Sequence, residues 1–294
     1  MRRLYFHQEY NYLNLVRNII KNGTVENGRN GKTRSIVGVQ MNYDLTNNTL
    51  PLITTKKMAW KSCFKELMWF VRGETDNKIL QEQNVNIWNG NASREFLDKR
   101  GLHNLTENDL GPIYGHQWRH YDAKYYDSDT DYENKGIDQL QNVIDQLSNK
   151  DTRNSRRIIL NAWNTNQIDE MALPPCHVLS QYIVKNNELT TLLYQRSGDV
   201  GLGIPFNIAS YSFLTHILAK HCGLKAKKFI HFIGDAHIYE EHIDSLKEQI
   251  KRKPLEFPTI DIKEKQKQIG DYSLDNVKVI NYKSKKRIEM EMKE

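Results

Sequence analysis

Cys176-His177-Val178-Leu179-Ser180-Gln181-Tyr182-Ile183-Val184, then Lys185-Asn186-Asn187-Glu188, then Leu189-Thr190-Thr191-Leu192-Leu193-Tyr194-Gln195, reads as two strands joined by a tight turn. β-Branched and aromatic residues crowd both runs. The Asn-Asn centre suits a two-residue hairpin, whose central positions require positive φ. If that turn sets the register without a bulge, Cys176 lies opposite Ser197 and His177 opposite Arg196. Residues 157–163 and 229–233 are further strand candidates. Elsewhere the period changes. Trp60, Cys63, Phe64, Leu67, Met68 and Val71 follow the spacing of an amphipathic helix closed by Gly73. Ile137, Leu140, Ile144 and Leu147 mark another, and Phe213, Leu214, Ile217, Leu218 and Cys222 a third, ended by Gly223. This order predicts an α+β fold, a mixed or antiparallel sheet flanked by helices. No linker or internal repeat is visible, so a single domain over residues 1–294 is expected. The polar stretches 23–34, 93–109 and 122–136 are expected to be surface loops or insertions.

Composition bounds the class. With 38% apolar and 27% charged residues, the chain reads as globular rather than disordered. No apolar run approaches the ~18 residues of a membrane span. Behind the basic start, Gln8, Glu9, Asn11 and Asn14 interrupt any signal-like stretch, so a cytoplasmic location is expected. Three cysteines do not make a disulfide framework, and no C-x-x-C or His cluster points to a metal. A net charge of +6 favours anionic partners, either nucleic acid or small phosphorylated and carboxylated ligands.

Cys63 and Cys222 fall on apolar helix faces, where Cys behaves as a small hydrophobe. Cys176 differs, because it follows Pro174-Pro175 and begins a strand. A nearby guanidinium would favour its thiolate, the form a nucleophile needs. A buried strand-start thiol with incidental neighbours is the equal alternative on spacing alone. Gln195-Arg196-Ser197-Gly198-Asp199 has the makings of an anion loop, with a planar fork of donors, a hydroxyl and a glycine that admits close approach. Arg156-Arg157 and Arg29, in Gly28-Arg29-Asn30-Gly31, offer more of the same.

At Leu173-Pro174-Pro175-Cys176-His177 and Tyr194-Gln195-Arg196-Ser197-Gly198-Asp199 the chain resembles the thymidylate synthase family. The likeness continues through Gly203-Ile204-Pro205-Phe206-Asn207-Ile208-Ala209-Ser210-Tyr211 and Gly234-Asp235-Ala236-His237-Ile238-Tyr239. Upstream, Pro51-Leu52-Ile53-Thr54-Thr55-Lys56, Glu66-Leu67-Met68-Trp69-Phe70 and Gly111-Pro112-Ile113-Tyr114-Gly115 also match. It runs from about Tyr10 to the end, with eukaryotic-type insertions, and several long motifs in order are far more specific than one.

The resemblance implies conversion of dUMP to dTMP, with 5,10-methylenetetrahydrofolate as one-carbon donor and reductant and dihydrofolate as product. Cys176 would add to C6 of the uracil, making C5 nucleophilic. By the same resemblance, Arg29, Arg196 and Ser197 bind the phosphate, with Arg156 and Arg157 donated by the partner of a homodimer formed through a sheet face. Gln195 orients the nucleotide, Asn207 pairs with the uracil edge, and His237 and Tyr239 hold the ribose 3′-hydroxyl. Glu66 organises proton transfer and Tyr114 stands near Cys176. Trp88, Leu173, Asp199, Gly203 and Phe206 line the folate site, and Lys56 meets its glutamate tail.

The chain departs from the family at Asn89, often Asp, and at Ala59, often larger; Lys283-Ser284-Lys285-Lys286-Arg287 replaces a Pro-containing segment, and Glu289-Met290-Glu291-Met292-Lys293-Glu294 lacks the family's small apolar ending, which bears on closure of the C-terminal tail. A dCMP hydroxymethylase of the same fold would want a carboxylate at 207, so Asn207 argues for uracil; a dUMP hydroxymethylase is separated only by its product. RNA binding has the basic run Lys283-Ser284-Lys285-Lys286-Arg287 behind it. No stretch interleaves aromatic with basic residues, as a single-strand binder would.

Overall fold

The computed structural model describes residues 7–28 and 31–292. Its elements are α1 (Tyr10–Asn22), β1 (Thr24–Gly28), β2 (Gly31–Asp44), α2 (Trp60–Arg72), α3 (Asn77–Glu82), α4 (Arg94–Lys99), α5 (Tyr114–Arg119), α6 (Gln139–Ser148), β3 (Ile159–Asn161), β4 (His177–Lys185), β5 (Glu188–Asp199), α7 (Gly203–His221), β6 (Lys225–Tyr239), α8 (Ile243–Gln249), β7 (Thr259–Ile262) and β8 (Val277–Ile280). Six strands form one sheet in the order β1-β2-β6-β5-β4-β3, and β7 with β8 makes a separate ribbon.

All neighbours in the large sheet run antiparallel except β5 and β6. α7 explains the exception, since it joins those two strands and carries the chain back along the sheet so that both start at one end. Its buried side chains include Ile204, Ile208, Phe213, Leu214, Ile217 and Leu218, spread around the helix. A helix apolar on every side belongs inside, and α7 packs between β5 and β6 on one side and α2 on the other. α2 buries the periodic positions Cys63, Phe64, Leu67, Met68 and Val71, leaves Trp60 half-buried, and stops at Gly73, whose φ of 84° closes its N–H onto Phe70 O. The α+β reading therefore holds.

The Asn-Asn turn forms as expected, with φ of 53° and 60° at Asn186 and Asn187 and Lys185 paired with Glu188. The unbulged register does not. Leu179 pairs with Tyr194 but His177 pairs with Gln195, so β4 carries one extra residue at Val178. That bulge moves Cys176 from Ser197 to Arg196, whose N–H donates to Cys176 O at 2.9 Å.

Residues 23–34, expected to be a loop, instead hold the β1–β2 hairpin. Every residue of β1 is exposed, so this edge strand lacks the alternation that would have marked it. The candidate strand at 157–163 shrinks to β3, and that at 229–233 extends into β6. On the sheet face away from α7, the register aligns Ile230, Leu192 and Ile159 in one row and Phe232, Tyr194 and Leu179 in the next. Tyr194 and Ile159 are each 43% exposed, and Val37 on the same face is 82% exposed. No helix among the described residues is long and apolar enough to cross a membrane.

Candidate active site

The carboxyl ends of β5 and β6, the amino end of antiparallel β4 and the amino end of α7 converge at one edge of the sheet. Ligands favour such a position, because loops rather than regular backbone complete the surface there.

Cys176 lies there, half-buried, one residue before β4. Its N–H donates to Tyr114 Oη at 2.7 Å, and the same oxygen takes the His177 N–H at 3.4 Å. Arg196 donates through Nε to Pro175 O and through Nη2 to Pro174 O, both at 2.9 Å, and its guanidinium lies 5.6 Å over the Trp163 ring. The proline pair thus holds a cation beside the residue it introduces. Burial, with the Cys176 charge adding, pushes the Tyr114 hydroxyl far above the usual phenol value. It stays protonated. Cys63 and Cys222 are buried, and burial pushes both thiols up, the opposite of what a nucleophile requires.

Glu66 projects from α2 and accepts the Trp88 Nε1–H at 2.8 Å. Burial raises its carboxyl to about 7, and the indole hydrogen bond works against that rise. Trp88 is buried against Trp69, Phe70 and Tyr114, so one ring serves both core and site.

Asn207, in the first turns of α7, sits in a chain of polar contacts. Its Nδ2 meets His177 Nε2 at 2.6 Å, and its Oδ1 accepts from Gln195 Nε2 at 2.9 Å. Gln195 Oε1 in turn meets His231 Nε2 at 2.8 Å. Burial lowers His177 to about 4, opposed by the Asn207 bond, and lowers His231 to about 3. Both rings are neutral near pH 7, so this is a dipolar relay without charge. Each Asn207 polar atom keeps one further hydrogen or lone pair for a ligand.

Ser197 Oγ lies 3.5 Å from His237 Nδ1, which also meets Asp235 Oδ1 at 2.9 Å; Tyr239 stacks edge-on to His237. Asp199 ends β5 and accepts the N–H groups of Gly201 at 2.8 Å and Leu202 at 3.2 Å, fixing the turn into α7. Gly203 opens that helix, Phe206 is half-buried in its first turn, and Leu173 is half-buried three residues before Cys176.

Lys56, expected to meet a folate tail, is 4% exposed and donates from Nζ to Gly201 O. Burial lowers its ammonium to about 8, with Asp199 pulling the other way. Arg156 and Arg157 are exposed just before β3. The pairing of Ile159 with Gln181 puts them toward the Ile183 end of β4. That is roughly 20 Å of strand from Cys176 at about 3.3 Å per residue, so a single chain does not bring them to its own site. Arg29 lies outside the described residues.

A C-terminal strap crosses the adjacent surface. Tyr282 Oη donates to Ile53 O, Lys285 N to Thr54 O, Arg252 to Lys286 O, Ser245 Oγ to Glu289 O, and His242 Nε2 to Glu291 O. Lys293 and Glu294, which bear on tail closure, lie outside the described residues. Sequence reasoning gave no role to His177, His231, Trp163 or His242. Only His231 left a signal, as a polar residue alternating with Phe229 and Ile233 on a buried strand face.

A family model described as "Thymidylate synthase" matches residues 10–294. A "Thymidylate synthase" of Ascaris suum is 48% identical over 285 residues, covering 97% of this chain and 96% of that relative. A "Putative bifunctional dihydrofolate reductase-thymidylate synthase" of Oryza sativa subsp. japonica is 48% identical, and a "Bifunctional dihydrofolate reductase-thymidylate synthase" of Zea mays 49%, each over 97% of this chain. The chain spans 58% and 54% of those two bifunctional relatives. With the motifs gathered at one sheet edge and the match running nearly end to end, the chain belongs to the thymidylate synthase family.

Proposed function

We propose that this chain methylates dUMP to dTMP, with 5,10-methylenetetrahydrofolate consumed and dihydrofolate released. One observation carries the reading. Cys176 is a half-buried thiol paired through its backbone with Arg196, and the next residue, His177, meets the Asn207 amide of α7 at 2.6 Å. The Cys176 thiolate adds to C6 of the uracil, and the electron pair moves through C5 toward O4. The polar groups near O4, Asn207 and the His177–Gln195 relay, receive that charge through hydrogen bonds without proton transfer. C5 then bonds to the one-carbon unit and loses its proton, and Glu66, titrating near neutrality, organises the proton transfers on the O4 side that let that proton leave. Reforming the C5–C6 double bond expels the thiolate. When bound, the reduced folate supplies both the carbon and the hydride that completes the methyl group.

The nucleotide phosphate falls to Arg196 and Ser197 with Arg29, and the ribose 3′-hydroxyl to His237 and Tyr239. Trp88, Leu173 and Phe206 offer apolar surface for the pterin, and Asp199 keeps acceptor capacity for its N–H edge. Arg156 and Arg157 come from a second copy, docked through the exposed rows of Tyr194, Ile159 and Phe232. Residues 1–294 act as one catalytic domain.

The test is to supply dUMP and methylenetetrahydrofolate and follow both products. Equimolar dTMP and dihydrofolate are expected. Hydroxymethyl nucleotide with tetrahydrofolate, or no turnover alongside salt-sensitive RNA binding, would overturn the reading.

A further inference from the structure

His242, in the turn before α8, is 1% exposed and stands between the C-terminal strap and the end of β5. Its Nε2 donates to Glu291 O of the strap at 2.7 Å. A carbonyl can only accept, so Nε2 carries a proton. Its Nδ1 points at Asp199 Oδ1 across 3.8 Å, beyond hydrogen-bond reach, and has no partner. A neutral ring therefore leaves a lone pair toward a carboxylate, whereas an imidazolium makes an ion pair with it across that gap while still donating to Glu291 O. Gly201 makes the junction possible. A Cβ there would stand 2.7 Å from His242 Nδ1, 3.2 Å from Asp199 Oδ1 and 3.3 Å from Met290 Sδ.

We propose that His242 is a positioning residue which, as imidazolium, latches the C-terminal strap to Asp199 and so ties the grip on the folate side of the site to pH. The effect on folate rests on the reading of Asp199 given above; the latch itself does not. The charged and titratable groups around His242 are Asp199 at the end of β5, Glu241 on its own turn, the Tyr239 ring at 5.6 Å and Lys56, bound to Gly201 O. Burial opposes a charge on His242, but Asp199, the Glu291 carbonyl and Glu241 outweigh it and raise the imidazole above its ordinary value. A raised value means the latch is closed at low pH and opens as pH rises through that value.

Hydrogen exchange of strap amides at residues 288–292 tests this in the nucleotide-free full chain, comparing wild type with His242→Gln from pH 5.5 to 9. Protection in the wild type is expected to fall by about tenfold, the effect of one charge-assisted hydrogen bond. In His242→Gln the amide still donates to Glu291 O but does not titrate, so its protection should be independent of pH. A wild-type pH course retained in that variant overturns the proposal. NMR titration of His242 gives a second reading that needs no destabilising change to the ring: Asp199→Asn should lower its midpoint, and an unmoved midpoint also overturns the latch. In turnover at pH 6, His242→Gln should raise KM for the folate, not for dUMP, with kcat the less affected parameter. Asp199→Asn with a lowered His242 midpoint but unaltered folate KM would support the contact between His242 and Asp199 while overturning both the assignment of Asp199 to folate and the coupling of the latch to folate binding.

Discussion

The Trp88 indole donates to a Glu66 carboxylate oxygen at 2.8 Å, tying the aromatic proposed to line the folate site to the carboxyl proposed to organise proton transfer. Burial holds that carboxyl near 7, so it is protonated over a range where an unfolded-chain Glu has ionised. The folded state binds the extra proton, and stability is lost as pH rises from about 4.5 through 7. Relative to Glu66→Gln, which does not titrate, the wild type should lose up to about 3 kcal/mol across that window. Denaturant unfolding of both proteins at pH 5 and pH 8 reads the difference. Trp88→Phe removes the opposing hydrogen bond, so the Glu66 limb of the kcat–pH profile should move upward.

Cys176→Ser should abolish dTMP formation while leaving the unfolding midpoint nearly unchanged, since the hydrogen bonds described at this residue to Tyr114 and Arg196 use its backbone. Cys63→Ser should retain turnover and lose about 1–2 kcal/mol, the cost of a more polar group in a buried site. Full activity in the Cys176 variant would refute the covalent mechanism.

Asn207→Asp should cut dUMP turnover by at least about a hundredfold, because a carboxylate offers acceptors only to the uracil edge. It should also raise His177 from its depressed value, as the new charge faces Nε2 where an amide N–H stood. Steady-state kinetics with dUMP and dCMP, and NMR titration of His177, check both halves.

Two inactive variants should complement each other if Arg156 serves a neighbouring subunit. Cys176→Ser mixed with Arg156→Glu under mild dissociation should recover about a quarter of wild-type activity, as half the dimers are mixed and each holds one complete site. No recovery after verified subunit exchange would place Arg156 in its own subunit's site or in none.

The sequence made the β4–β5 hairpin legible because Asn-Asn sits where two positive φ values are required and both strands are rich in β-formers. It made α2 legible because one face is buried along its length. It concealed the Val178 bulge, since an extra residue alters no local preference and shows only in pairing across the sheet. β1 was hidden by exposure on both faces. The motifs named Cys176, Arg196 and Asn207, yet the roles of His177, His231 and His242 depend on contacts with residues 30, 36 and 43 positions away. No short window of sequence contains those partners.

The strap has a further consequence. Its anchors at Lys285, Lys286, Glu289 and Glu291 are peptide N–H and C=O groups, which every ordinary amino acid supplies. Apart from the Tyr282 hydroxyl and the packed Met290 side chain, docking is therefore nearly blind to side-chain identity. Length, rather than composition, is then what lets the segment reach its anchors, with proline at Lys285 the exception because it has no N–H to give Thr54 O.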